Sequence, residues 1–115
     1  MVRKNSERVV VSMCVRGGHG ECEMHKILNS PEELYGKGTL FNHVIIRPGD
    51  SIGDHLHTGN NEIYYVLSGT GDYNDNGTQV KISAGDVTVC NDGESHGVVN
   101  NSTEPLEMIA LILNS

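Results

Sequence analysis

Tryptophan is absent from these 115 residues and phenylalanine occurs once, so any core must be built from Val, Ile and Leu. Positive charge is scarce too: 8 Lys and Arg stand against 15 Asp and Glu, a formal charge of −7. No basic patch exists to neutralise phosphates, which argues against nucleic acid as a partner. Long apolar runs are missing, and Met1-Val2-Arg3-Lys4-Asn5 is not followed by an apolar stretch of signal length. Neither a bilayer span nor an export signal is therefore expected, and no membrane partner. The 3 cysteines, Cys14, Cys22 and Cys90, are an odd set without framework spacing. We read them as reduced thiols of a cytoplasmic protein.

What the chain does have is glycine, 14 residues of it, set between short β-branched segments. A chain of this length forms one domain and buries roughly two thirds of its unfolded surface. The β-branched stretch within Arg8–Met13 suits a strand or arm, Arg16-Gly17-Gly18-His19-Gly20 a turn, and Glu21–Leu28 a second strand. Ser30-Pro31-Glu32-Glu33-Leu34 carries the one helix-start signal, and Gly36 and Gly38 limit it to a single turn. From Leu40 onward strand alternates with turn, and Asn76-Gly77 inside alternating residues marks a hairpin. Even spacing without crossover helices predicts an all-β, antiparallel, jelly-roll-like barrel. Residues 1–39 are expected to form an arm and strands that complete the barrel or exchange with a second copy; residues 40–115 form its core.

Two segments carry the chemistry. The first runs from Gly49 through His55, His57 and Glu62 to Gly69; the second runs from Gly85 through Gly93 and His96 to Asn100. His55 and His57 are two apart, so a strand projects both imidazoles from one face. Glu62 follows a four-residue turn and can return to the same side, whereas His96 needs the fold to bring it in. Three imidazoles and a carboxylate suit Zn, Cu, Ni, Fe or Mn, and four protein ligands leave open positions on an octahedral ion. An isolated His-x-His in a turn is most often a solvated pair; the glycine punctuation at fixed distances sets this case apart.

That punctuation resembles the cupin superfamily. Its first motif is Gly, five residues, His-x-His, three or four residues, Glu, six residues, Gly, and the chain matches every fixed position. Its second is Gly, five residues, Pro-x-Gly, two residues, His, three residues, Asn; here Asn91 replaces the proline. The 15 residues between Gly69 and Gly85 resemble the spacing of small bacterial members. The resemblance spans roughly residues 40–113. It implies a cupin jelly-roll barrel with His55, His57, Glu62 and His96 as ligands of one divalent transition metal ion, Mn, Fe, Zn or Ni. Asn91 loosens a turn that proline would stiffen.

Alternation from Glu62 puts Tyr64 and Val66 on its face. The Tyr64 phenol either holds a substrate oxygen or acts as an acid, or it is a core aromatic with a satisfied hydroxyl. His43 is a general acid/base candidate if it faces the cavity and an ordinary strand histidine if it does not. His19, Cys22 and His25 fit no zinc spacing. Small cupins of this type resemble decarboxylases, sugar isomerases and dioxygenases. The expected function is Lewis-acid catalysis on a small polar or anionic metabolite; a binding or sensing module without turnover is the alternative. Sugar-nucleotide epimerases of the non-metal kind lack this His-x-His and Glu arrangement. A homodimer is expected, because open jelly rolls leave edges to cover and small cupins commonly exchange N-terminal strands.

Overall fold

Alternation of apolar and polar side chains sets ten strands: β1 Val10–Met13, β2 Cys22–Leu28, β3 Gly38–Ile46, β4 Ser51–Leu56, β5 Asn60–Ser68, β6 Thr70–Asp75, β7 Thr78–Ser83, β8 Val87–Cys90, β9 Ser95–Val99 and β10 Leu106–Asn114. The computed structural model describes all 115 residues. One sheet has the order β1-β2-β3-β10-β5-β8 and the other β4-β9-β6-β7, with neighbouring strands antiparallel. This is the all-β jelly roll expected from the turn spacing.

The helical content is two 3-10 turns, Asn5–Glu7 and Pro31–Leu34. The second begins at Pro31, as its signal predicts, and stops where Tyr35 enters the left-handed region at φ 54°. Ser30 holds the extended N-cap conformation, but its side chain makes no capping bond. The Asn76-Gly77 signal is a two-residue hairpin between Asp75 and Thr78, with φ of 51° and 93°. Positive φ at both positions matches the twist of the flanking strands.

Between the sheets lies a core of Val44, Ile46, Ile52, Val66, Val98, Leu106, Met108 and Ala110, with Tyr64 and Tyr73 its only aromatics. The larger sheet aligns its inward residues in rungs. One runs Lys26, Asn42, Ala110, Tyr64, Thr88 across β2, β3, β10, β5 and β8. The next runs Leu40, Ile112, Glu62, Cys90. Ala110 is the smallest side chain of its rung, and space opens over it.

The segment joining β1 to β2 is fastened to β4, the strand that leads to the histidines. Gly53 N–H donates to Val15 O at 3.1 Å, and Val15 bridges Ile52. A Cβ at Gly53 would strike the Arg16 carbonyl, and one at Gly18 the Ser51 carbonyl. Backbone runs against backbone there, at a separation only glycine permits. Asn100, the last residue of the second motif, does structural work. Its buried amide donates to Ile46 O (2.9 Å) and Glu104 O (2.8 Å) and accepts from Ser102 N–H (3.0 Å) and Oγ (2.7 Å).

Candidate metal centre

Each of the four expected ligands arrives from a different place. His55 sits on β4, His57 just beyond its end, Glu62 on β5 and His96 on β9. β4 and β9 are paired with His55 opposite His96, while β5 belongs to the other sheet. Their donor atoms lie within 4.8 Å of one another, a group that could hold a metal ion. The Nε2 atoms of His55, His57 and His96 are 3.1–3.2 Å apart. Glu62 Oε1 stands 3.0 Å from His96 Nε2, 3.2 Å from His57 Nε2 and 3.6 Å from His55 Nε2.

Whether these residues suit a cation is decided at the far side of each ring. His55 Nδ1 lies 2.7 Å from Gly53 O, and a carbonyl can only accept, so that nitrogen carries the proton and Nε2 presents a lone pair. His57 Nδ1 stands in the same relation to Asn60 Oδ1, also at 2.7 Å. His96 Nδ1 is 2.7 Å from the Tyr73 hydroxyl, which can accept from it. Two imidazoles are thus fixed with their lone pairs, and the third can present its own, toward one buried point. Such an arrangement is repulsive alone and favourable around a cation, and orienting partners of this kind accompany metal-binding histidines. The donor set fits.

Glu62 completes the charge. Burial alone would raise its carboxyl, and positive charge among the imidazoles opposes this and favours the carboxylate, so a cation at that point would be matched by an ionised Glu62. Tyr64 donates to Glu62 Oε1 at 3.2 Å and stacks on His96, with centroids 5.0 Å apart and planes 16° from parallel. Burial, and then the Glu62 charge, push the Tyr64 phenol well above its ordinary value, so it is a proton-bearing donor at neutral pH. Tyr73, across the ring from it, is likewise pushed up to about 12, chiefly by burial.

The loop of the second motif clamps the first. His57 N–H donates to Glu94 O (2.9 Å), and Gly93 N–H donates to His57 O (2.8 Å). Asn91 uses its N–H to reach Glu94 Oε1 at 2.8 Å, a bond proline could not make. The hairpin tip joins in: Asn76 Nδ2 donates to Glu94 Oε2 and Ser95 N–H to Asn76 Oδ1. The missing proline is therefore replaced by a hydrogen-bonded turn, tied at several points.

A cavity of about 350 Å³ adjoins the cluster, touched by His55, Glu62 and Tyr64. Most of its wall is apolar, including Val44, Ile52, Ala110 and Ile112, with Val11, Met13 and Val15 from the N-terminal segment. Its remaining polar residues are Arg16, Lys26 and Asn42. Its volume falls within the ~300–1,000 Å³ typical of small-molecule sites.

His43 is not brought to this site. Strand β3 turns Asn42, Val44 and Ile46 inward, so His43 lies on the outer face, 2.8 Å from Glu107 Oε1 and beside the ring of His25. The inward position is occupied one residue earlier, by Asn42, and a shift of one residue reverses the face of a strand. His19, Cys22 and His25 are not gathered into a metal-binding group. Four residues escaped notice in the sequence: Asn60 and Tyr73, which orient imidazoles, and Lys26 and Asn42, which face the cavity. Only Asn60 had a local signal, three residues after His57. The others depend on strand pairing that no short motif encodes.

The fold is a jelly roll carrying a four-residue group that could hold a metal ion, and the chain belongs to the cupin family: residues 42–112 match the family model described as Cupin domain. It is 46% identical over 99 residues to a Thermotoga maritima protein named oxalate-binding protein, covering 86% of this chain and 81% of that one. It is also similar to a crystal structure described as a predicted oxalate decarboxylase from Thermotoga maritima, at 42% identity, with all of both chains covered and a TM-score of 0.94. The structure of KdgF from Halomonas sp. shares the fold, at 17% identity and a TM-score of 0.75, over 100% of this chain and 96% of that one.

Proposed function

We propose that this cupin binds one divalent transition metal ion through His55, His57, Glu62 and His96 and uses it to bind and activate a small carboxylate. Oxalate is the first candidate. The observation that carries this reading is the convergence of three imidazole Nε2 atoms and one carboxylate oxygen at the wall of a small cavity. The names of the two Thermotoga maritima relatives support oxalate as the ligand.

When bound there, a divalent ion supplies Lewis-acid polarisation of a carboxylate oxygen. The residues of the chain do the rest. Gly53 O, Asn60 and Tyr73 fix the three rings; Tyr64 offers its phenolic proton beside Glu62; the apolar wall limits water around the bound anion. Of the chemistries open to small cupins, decarboxylation of a short acid suits a cavity lined by two cations and few neutral polar groups better than sugar isomerisation does.

One observation favours binding without turnover as the second reading. His55, Glu62 and Tyr64, the groups of the cluster that touch the cavity, are ligands or a ligand's hydrogen-bond partner, and His43, the other acid/base candidate, lies outside. Elemental analysis of untagged protein purified without chelators, beside His96→Ala, tests the centre. Stoichiometric Mn, Fe, Zn or Ni in the wild type and its loss in the variant is the expected result. Incubating the Mn-loaded protein with oxalate separates the two readings: formate and carbon dioxide indicate an enzyme, and saturable binding without product indicates a binding protein. No metal after reconstitution with all four ions would overturn both.

The chain is further inferred to work as a homodimer in the cytoplasm. β1 is exposed along its length and pairs only with β2, and the outer face of the larger sheet exposes Tyr65, Leu67, Val87 and Val89. The three free cysteines suit a reducing compartment. A monomer mass by light scattering at micromolar concentration would remove the dimer.

A further inference from the structure

Asn42 is 5% exposed, yet its side-chain amide makes no hydrogen bond within the protein, and it lines the cavity. The amide is not among the sealed, unsatisfied groups of the interior; it opens to the cavity, where a ligand or ordered water can pair with it. Directly beside it on β2, in register, is Lys26. Alternation turns Lys26 inward with Cys22 and Met24, and it lines the same cavity. Lys26 has no carboxylate partner, whereas Arg3, Arg47 and Lys81 do; of the other unpaired cations only Arg16 also lines the cavity. A half-buried, unpaired ammonium beside an amide without a protein partner offers an anion in the cavity both charge and a directed donor.

The two sit on the rung that ends at Tyr64, the donor to Glu62. Ala110 lies between, leaving the middle of the rung low. Lys26 and Tyr64 are three strands apart, roughly 14 Å between backbones at ~4.8 Å per strand. A four-carbon stem from one side and a phenol from the other leave a gap suited to a ligand of a few heavy atoms. The cavity thus has two polar ends, the His/Glu cluster at one and Lys26 with Asn42 at the other, and apolar walls between.

We propose that Lys26 and Asn42 form a second oxyanion subsite that makes the cavity selective for small dicarboxylates over monocarboxylates. The Lys26 ammonium and the Asn42 amide N–H bind the carboxylate that the metal centre does not. This rests on the metal-centre reading given above. The preference depends on Lys26 supplying charge and on Asn42 supplying a directed donor; Arg16, at the N-terminal side of the same cavity, adds a further unpaired cation.

Calorimetric titration of the Zn-loaded protein with oxalate, malonate and succinate, each against acetate and propionate, tests it. At least one diacid should bind tenfold or more tightly than the monoacids, a ratio set by one charge-assisted contact. Lys26→Met keeps the stem and removes the charge; Asn42→Leu keeps the volume and removes the donor. Both should reduce the ratio to within threefold while leaving zinc content and acetate affinity unchanged, and Lys26→Arg should preserve it. Zinc-free wild-type protein should retain weak diacid binding that Lys26→Met abolishes. A diacid preference that survives both substitutions in folded protein overturns the subsite but leaves the metal centre standing. Zinc binding with no affinity for any of these acids overturns the carboxylate reading and the subsite together. Should Lys26→Met fail to fold, the Lys26→Arg and Asn42→Leu pair decides by the same ratio.

Discussion

Replacing Tyr73 with Phe removes one oxygen from the interior and changes little else. That hydroxyl is the partner of His96 Nδ1 at 2.7 Å, and both side chains are buried, at 3% and 0% exposure. Without it the Nδ1–H points at a ring edge with no water to replace the partner. Leaving a buried polar group unsatisfied costs about 1–3 kcal/mol. For a domain of this size the metal-free protein should melt about 4–8 °C lower per kcal/mol lost. Metal affinity should fall separately, because His96 can then rotate or adopt the other tautomer; loss of such an orienting partner weakens binding about 10–100-fold. Two assays separate the effects: thermal melting in a chelator, and competition with a chromophoric zinc chelator at pH 7.5. The comparison is repeated in a His96→Ala background, where the substitution should have almost no effect on either reading, since a double-mutant cycle isolates the pairwise term. If Tyr73→Phe leaves zinc affinity unchanged, or weakens it equally without His96, the hydroxyl does not orient the ring and the tautomer argument fails.

Other outcomes follow from the same geometry. Asn100→Ala breaks four bonds that join β3, β9 and the loop before β10, and should lower stability by about 3 kcal/mol, read by urea denaturation. Cys22 and Cys90 are buried and their thiols are each pushed up to about 11, mainly by burial, whereas Cys14 is exposed. A thiol-reactive chromogenic disulfide at pH 8 should therefore react quickly with one cysteine in the native protein and with all three in denaturant. Asn91→Pro deletes the donor that chiefly holds the Glu94 carboxyl below its ordinary value, so its titration midpoint by carbon-13 NMR should rise. A lowered folded-state value contributes stability above the ordinary carboxylate range and loses it as pH falls, so the variant should be less sensitive to acid.

The sequence and the structure agree where chemistry is local. Alternation placed Tyr64 and Val66 on the face of Glu62, and Asn76-Gly77 set its hairpin, because both follow from the geometry of a few adjacent residues. The four-ligand group was readable for a different reason: its spacing is shared by a family whose fold brings the residues together. His43 shows the limit. A histidine one strand before the first motif carries no mark of its face until the register of β3 against β10 is known. Lys26 and Asn42 were invisible for the same reason, being 16 residues apart in sequence and adjacent only through the β2–β3 ladder.

The four ligands are not all drawn from one sheet: His55 and His96 come from the four-stranded layer and Glu62 from the six-stranded one. An ion at that point is a rivet between the layers, and separating them exposes it to solvent. Its binding energy is then added to the folded state alone, as RT ln(1 + [M]/Kd), so a hundredfold excess over Kd contributes about 2.7 kcal/mol. The half-life of the protein against proteolysis becomes a function of free metal concentration.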